Sequence, residues 1–218
     1  MKKSITVITS ILLILSVLFA FTGCATREES VFIGSWKATA DLTKLLSTVA
    51  EDDLDGESFE SYTDEPITVD VIFNFEKDGT YSMRIDGETV TKAAQTFADV
   101  LKKIVKAQLE EYLKGEGVTD VDEFIENAYN TTFDELYEKQ GLEEKGKEKF
   151  TEGLSLESSE GKFIVKDGKL YTSYSVTEEP DMSEYIEFTI DSGKITFTNA
   201  IGEDENATAL LPLVLERN

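Results

Sequence analysis

Side-chain chemistry needs a nucleophile with a base, a set of metal ligands, or a cradle for a charged group, and this sequence is short of all of them. Its 218 residues contain no His and a single Cys, Cys24. The commonest neutral-pH base and metal ligand is therefore missing, and one Cys makes neither an internal disulfide nor a cysteine zinc site. Ser159 and Lys162 have Ser-x-x-Lys spacing, but they lead into a strand instead of opening a helix. No Ser-Asp-Asn or Lys-Thr-Gly accompanies them, so the spacing reads as coincidence. Glu51, Asp53, Asp55 and Gly56 begin like a calcium loop. Its twelfth position is Tyr62, where a bidentate Glu is needed, and a solvated acidic loop is the plainer reading. Forty-four acidic residues guarantee accidental carboxylate pairs, yet a sugar cleft is usually lined by Trp and Trp36 stands alone. There is no P-loop and no Gly-x-Gly-x-x-Gly. The chain reads as a non-enzyme, with no catalytic residue, no cofactor and no metal site.

Composition narrows the partners. Asp and Glu outnumber Lys and Arg 44 to 21, a formal charge of −23. Phosphate binding needs clustered basic residues, so nucleic acid is excluded as a partner. Forty per cent apolar and 10% aromatic residues are enough for a core, and the length suits one domain with an insertion, or two small ones.

The N-terminus reads as an address. Lys2 and Lys3 precede an uncharged run from Ile5 to Phe21, which ends in Phe21-Thr22-Gly23-Cys24. That order is a secretory signal. Its tail resembles the lipobox of bacterial lipoproteins. The resemblance implies removal of residues 1–23, lipidation of Cys24, and a protein anchored by lipid on the extracytoplasmic face of the cell membrane. An uncleaved signal-anchor helix is the alternative, since roughly 18 apolar residues just span a bilayer. Either way the body of the chain lies outside the cytoplasm. Residues 24–30 read as a tether, and 31–218 as the folded domain.

Strand patterns dominate that domain. Residues 31–37 have strand composition, and 67–75 alternate, with Ile67, Val69, Val71, Phe73 and Phe75 on one face. Glu76-Lys77-Asp78-Gly79 turns this strand into Tyr81, Met83 and Ile85. Lys166-Asp167-Gly168-Lys169 joins Phe163 and Val165 to Leu170, Thr172, Tyr174 and Val176. Asp191-Ser192-Gly193 joins Ile186, Phe188 and Ile190 to Ile195 and Phe197. Asp-Gly and Ser-Gly supply the positive φ that tight hairpins demand. A last strand, 209–216, contains Pro212, which predicts an edge or a bulge. Eight antiparallel strands with successive hairpins predict a mainly β fold, an up-and-down β-barrel or barrel-like meander, over a sandwich.

Helical spacing interrupts the strands at about 88–152, between the third and fourth. Val90, Ala94, Phe97, Leu101, Ile104, Val105, Leu109 and Tyr112 predict a helix of about six turns ending near Gly115. A second is expected from Thr119, capped with Asp122, with a stripe reaching Leu136 and a stop at Gly141. A third, at about 143–151, completes a two- to three-helix insertion. Leu42, Leu45, Leu46 and Val49 predict a shorter helix after the first strand.

Gly34-Ser35-Trp36 on the first strand and Arg217 at the close of the last resemble the lipocalin pattern. The series Phe73 to Thr80 and Lys166 to Leu170 is similar to the lipocalin-like domains of small bacterial lipoproteins. This resemblance implies that Gly34, Trp36 and Arg217 close the narrow end of a barrel, with the guanidinium packed on the indole and a cation–π attraction of roughly 0.5–2 kcal/mol. A plain core aromatic is the alternative role for Trp36. The resemblance also implies a lipid-anchored protein that holds a small apolar or amphipathic ligand. The other expectation is a non-catalytic envelope interaction or structural protein that uses the helical insertion as its contact surface. Charge is uneven: residues 41–66 hold nine acids and one Lys, and residues 88–160 hold 18 acids and nine Lys. These two segments carry −17 of the −25 that remains without residues 1–23, so the acidity belongs mainly to insertions.

Overall fold

A computed structural model describes residues 27–50, 59–154, 158–202, 208 and 210–218. The expected leader, Cys24, the calcium-like run from Glu51 to Gly56 and the acidic turn at 203–206 lie outside the described residues.

Eight antiparallel strands close into a barrel in sequence order: β1 (Gly34–Asp41), β2 (Thr68–Phe75), β3 (Thr80–Ile85), β4 (Ser159–Lys166), β5 (Lys169–Thr172), β6 (Tyr185–Asp191), β7 (Lys194–Ile201) and β8 (Leu213–Arg217). β1 pairs along its whole length with β2 and, through Trp36–Ala38, with Arg217–Leu215 of β8. The three expected hairpins form. Asp167 and Gly168 (φ 53° and 72°), like Ser192 and Gly193 (φ 51° and 81°), take the paired positive φ of a two-residue hairpin turn. Gly79 (φ 83°) closes the third turn, where the Asp78 carboxylate accepts from both the backbone N–H and the hydroxyl of Thr80.

Because the barrel is up-and-down, its connections sort by length onto two ends. All three hairpins lie at one end, beside the start of β1 and the end of β8. The four long connections, 42–67, 86–158, 173–184 and 202–212, leave from the other. The first contains α2 (Thr43–Ala50) and a 3₁₀ turn (Phe59–Tyr62). The second contains α3 (Gly87–Gly115), α4 (Val121–Tyr129), α5 (Phe133–Lys139) and α6 (Leu142–Gly153). α3 opens on Asp86, whose carboxylate accepts from the Glu88 N–H at 2.9 Å, and at 29 residues it is about 44 Å long. Its first half joins the barrel core through Val90, Ala93, Ala94, Val100 and Ile104. Its second half, with Leu109 and Leu113, belongs to a separate core made with Val121, Ile125, Phe133 and Tyr137 of α4 and α5. α6 returns along α3, with Phe150 against Phe97 and Gly146 close to Ala98 and Leu101.

Several expectations are corrected. The helices together hold more residues than the strands, so "mainly β" understates them. Four helices, not two or three, separate β3 from β4. The run from Thr119 to Leu136 is broken because Asn130 turns left-handed (φ 52°) and Thr132 caps a new helix, accepting from the Glu135 N–H. Asp120, one residue after Thr119, is the cap of α4. Much of the expected tether is a short helix, α1 (Arg27–Phe32), so the first strand begins only at Gly34. β5 ends at Thr172: Tyr174 and Val176 are exposed, and the Ser173 hydroxyl takes over the Lys162 N–H at 2.9 Å. β8 starts after Pro212 and pairs on both sides, so it is no edge; proline, lacking an N–H, sits just outside the ladder.

Candidate functional site

The barrel offers two distinct environments, a sealed end and a half-buried upper inner wall. At the hairpin end α1 packs on β4 and inserts Phe32, fully buried, edge-on against Phe75 (5.3 Å) and Phe188 (4.8 Å). The backbone carbonyls at the end of this helix have no further turn to receive, and three side-chain donors meet them. Trp36 Nε1 donates to the Phe32 carbonyl at 2.5 Å, while Arg217 Nη1 and Nη2 donate to Ile33 and Val31 at 2.7 and 3.0 Å. The same guanidinium lies 4.0 Å from the Trp36 ring centre. Gly34 makes room for it: its φ is 122°, and a Cβ there would collide with Arg217 Nη1. The structure thus brings Gly34, Trp36 and Arg217 into one cluster, with Phe32 as a fourth member that the sequence reading placed in a strand.

Above this seal the interior changes. Phe75, Phe163, Val165, Leu170, Ile195, Phe197 and Leu215 are buried, which makes the lower half solid. The inward positions of β2 and β3 nearer the other end, Val71, Phe73, Met83 and Ile85, are only half-buried, as is Ile186 of β6. All five still pack against the core, and Phe73 lies edge-on to Phe197 across the barrel at 6.1 Å. Two features of the wall accompany this partial exposure. β1 faces Val69 and Val71 with Ala40 and Ala38, the small members of its inward row. β4 pairs with β3 only through Thr80–Met83, so Ile85 extends beyond that ladder. The inward positions of β1 to β3 above Gly34 carry no charge, and helix α3 with Phe97 and helix α2 with Leu46 pack on the same core. The arrangement suits contact with apolar atoms, not proton transfer.

The motifs weighed for chemistry do not assemble a reactive group. Ser159 and Lys162 are three apart on β4 and therefore face opposite sides of the sheet; Lys162 pairs with Glu179. Among the described residues no group of three or more His, Cys, Asp or Glu converges as a metal would require, and no helix is long and apolar enough to cross a membrane. The best-connected carboxylate, Asp70, lies on the outer wall. Burial pushes its pKa up, but hydrogen bonds from Lys37 (2.6 Å) and Thr39 (2.7 Å), with the Lys37 charge, outweigh this and hold it below the usual aspartate range. The Lys37 ammonium is correspondingly raised by Asp70.

The helical arm is a third environment. Lys102 and Lys106 of α3 pair with Asp134 and Asp122 at 2.9 and 2.7 Å, tying α5 and α4 to it. The arm leaves Tyr112 and Tyr129 68% and 64% exposed.

In comparisons with protein-family models, with curated proteins and with solved structures, nothing matches this chain.

Proposed function

We propose that this chain is a lipid-anchored, extracytoplasmic, lipocalin-like binding protein, held on the cell membrane through Cys24, whose barrel interior holds a small apolar or amphipathic ligand. The observation that carries the ligand reading is the uncharged, only half-buried inner surface formed by Val71, Phe73, Met83 and Ile85 above a buried floor. An apolar chain placed there gains about 25 cal/mol for each Å² of surface removed from water. The Gly34, Trp36 and Arg217 cluster is structural in this reading and contacts no ligand. The lipobox-like Phe21-Thr22-Gly23-Cys24 supports the anchor.

Native mass spectrometry of the protein purified from its membrane tests the ligand. A co-bound small molecule is expected, together with binding of a fluorescent fatty acid that Met83→Trp, which fills the lumen, lowers at least about tenfold. A bare protein mass with no probe binding overturns the reading, and so does undiminished binding by Met83→Trp.

One observation favours a second reading, a non-catalytic envelope interaction protein: α3 to α5 form their own core beyond the barrel and present Tyr112 and Tyr129 to solvent. If that arm is the contact surface, Tyr112→Ala with Tyr129→Ala abolishes a membrane-protein crosslink and spares probe binding. Crosslinks unchanged by this pair of substitutions remove it.

A further inference from the structure

We propose that the hairpin end of the barrel rests on the lipid surface, so that the helix-bearing end is held away from the membrane. This rests on the Cys24 anchor proposed above and adds an orientation to it. Three observations carry it.

The first is chain length. Only Ala25 and Thr26 separate Cys24 from the first residue of α1, which at full extension is roughly 11 Å of chain. α1 is not a loose leader: Phe32 is buried in the barrel, and Arg217 and Trp36 grip the last carbonyls of the helix. The anchor therefore leaves little slack, and it leaves from the hairpin end.

The second is charge. Residues 27–218 carry −25, as 44 acids against 19 Lys and Arg. Of the four long connections, 42–67 carries −7, 86–158 −9, 173–184 −4 and 202–212 −3. These connections thus account for −23 of the −25, and among the described residues alone for −14 of −16. An anionic surface repels charges within a Debye length of about 8–10 Å, so tilting their end toward lipid is opposed while holding it outward is not.

The third is the composition of the hairpin end, where acids and bases nearly balance. Lys77 and Lys166 stand exposed at the first two hairpins. Lys169 lies 3.8 Å over the Tyr185 ring and Lys194 pairs with Glu216 at 2.5 Å. Lys77 and Lys166 are thus placed to meet lipid phosphates.

The test uses the full chain reconstituted into preformed vesicles of phosphatidylcholine and phosphatidylglycerol, and lysine acetylation by a membrane-impermeant reagent, with the same protein in detergent as reference. Labelling of Lys77 and Lys166 is expected to fall several-fold on vesicles, while exposed Lys92, Lys114 and Lys149 of the helical end react as in detergent. Equal labelling at the two ends, or protection confined to the helical end, overturns the orientation. Intact mass separates the two claims. A chain lacking a diacylglycerol-sized addition at Cys24 overturns the anchor and the orientation together, whereas a lipidated chain with uniform labelling overturns the orientation alone.

Discussion

At one end of this barrel consecutive strands are joined by turns of two or four residues, and a six-residue helix is clamped into the opening by Trp36 and Arg217. At the other end the chain leaves the sheet for long excursions and returns, and the inner wall of β2 and β3 is only half-buried. Both ends bury apolar surface, but they spend it differently. The hairpin end packs large aromatics against one another and fixes the barrel's closure. The far end distributes its apolar residues between the barrel and a second core about half a long helix away. A rigid floor below and layered helices above are what a container for an apolar molecule needs. The floor must not yield, while the cover has to part at a cost smaller than global unfolding.

That contrast can be broken by mutation. Phe32→Ala removes the plug of the sealed end and is expected to cost about 3–5 kcal/mol of global stability in denaturant unfolding. Ile125→Ala in the arm core should instead expose α4 and α5 to hydrogen exchange while the barrel amides keep their protection. If Ile125→Ala lowers barrel protection as much as Phe32→Ala does, the two cores are one cooperative unit and the contrast is lost. A smaller effect compares glycines. Gly34→Ala forces a side chain into a positive-φ position and against the Arg217 guanidinium, for about 1–3 kcal/mol. Gly153→Ala, in the last turn of α6 with open space around it, should change stability by less than about 0.5 kcal/mol. Equal losses at the two sites would show that the Gly34–Arg217 contact is unimportant.

The smallest expected effect is in acid. Asp70 is held below the usual aspartate range in the folded state, chiefly because hydrogen bonds from Lys37 and Thr39 outweigh its burial. Its stabilising contribution is therefore present at neutral pH and is lost as pH falls through the ordinary carboxylate range toward the folded value. Asp70→Asn should lower Tm at pH 7 by on the order of 2 °C and leave it unchanged near pH 2. A Tm difference that does not vary with pH would show that charge is not what Asp70 contributes.

How much of this was legible in the sequence follows from what is local. The hairpins at Asp167-Gly168 and Ser192-Gly193 were readable because a positive φ is demanded at the turn itself. The alternation of β2 was equally plain. α1 was not, because Val31, Phe32 and Ile33 have strand composition. What makes them a helix end is a tertiary grip by residues four and more than 180 positions away. The break at Asn130 was hidden because the apolar stripe runs on past it into α5. Of the candidate site, Gly34, Trp36 and Arg217 were visible through a family pattern. The half-buried wall was not: Val71 and Phe73 read as core, and their partial exposure shows only in the closed barrel.

The interior as a binding site can be tested directly with the methionines. Besides Met1 the chain has only Met83, on the inner wall, and Met182, 48% exposed in the connection between β5 and β6. With methyl-¹³C methionine, a titration with decanoic acid should shift the Met83 resonance in a saturable way and leave Met182 in place. A shift of Met182 alone, or of neither, would contradict a ligand site inside the barrel.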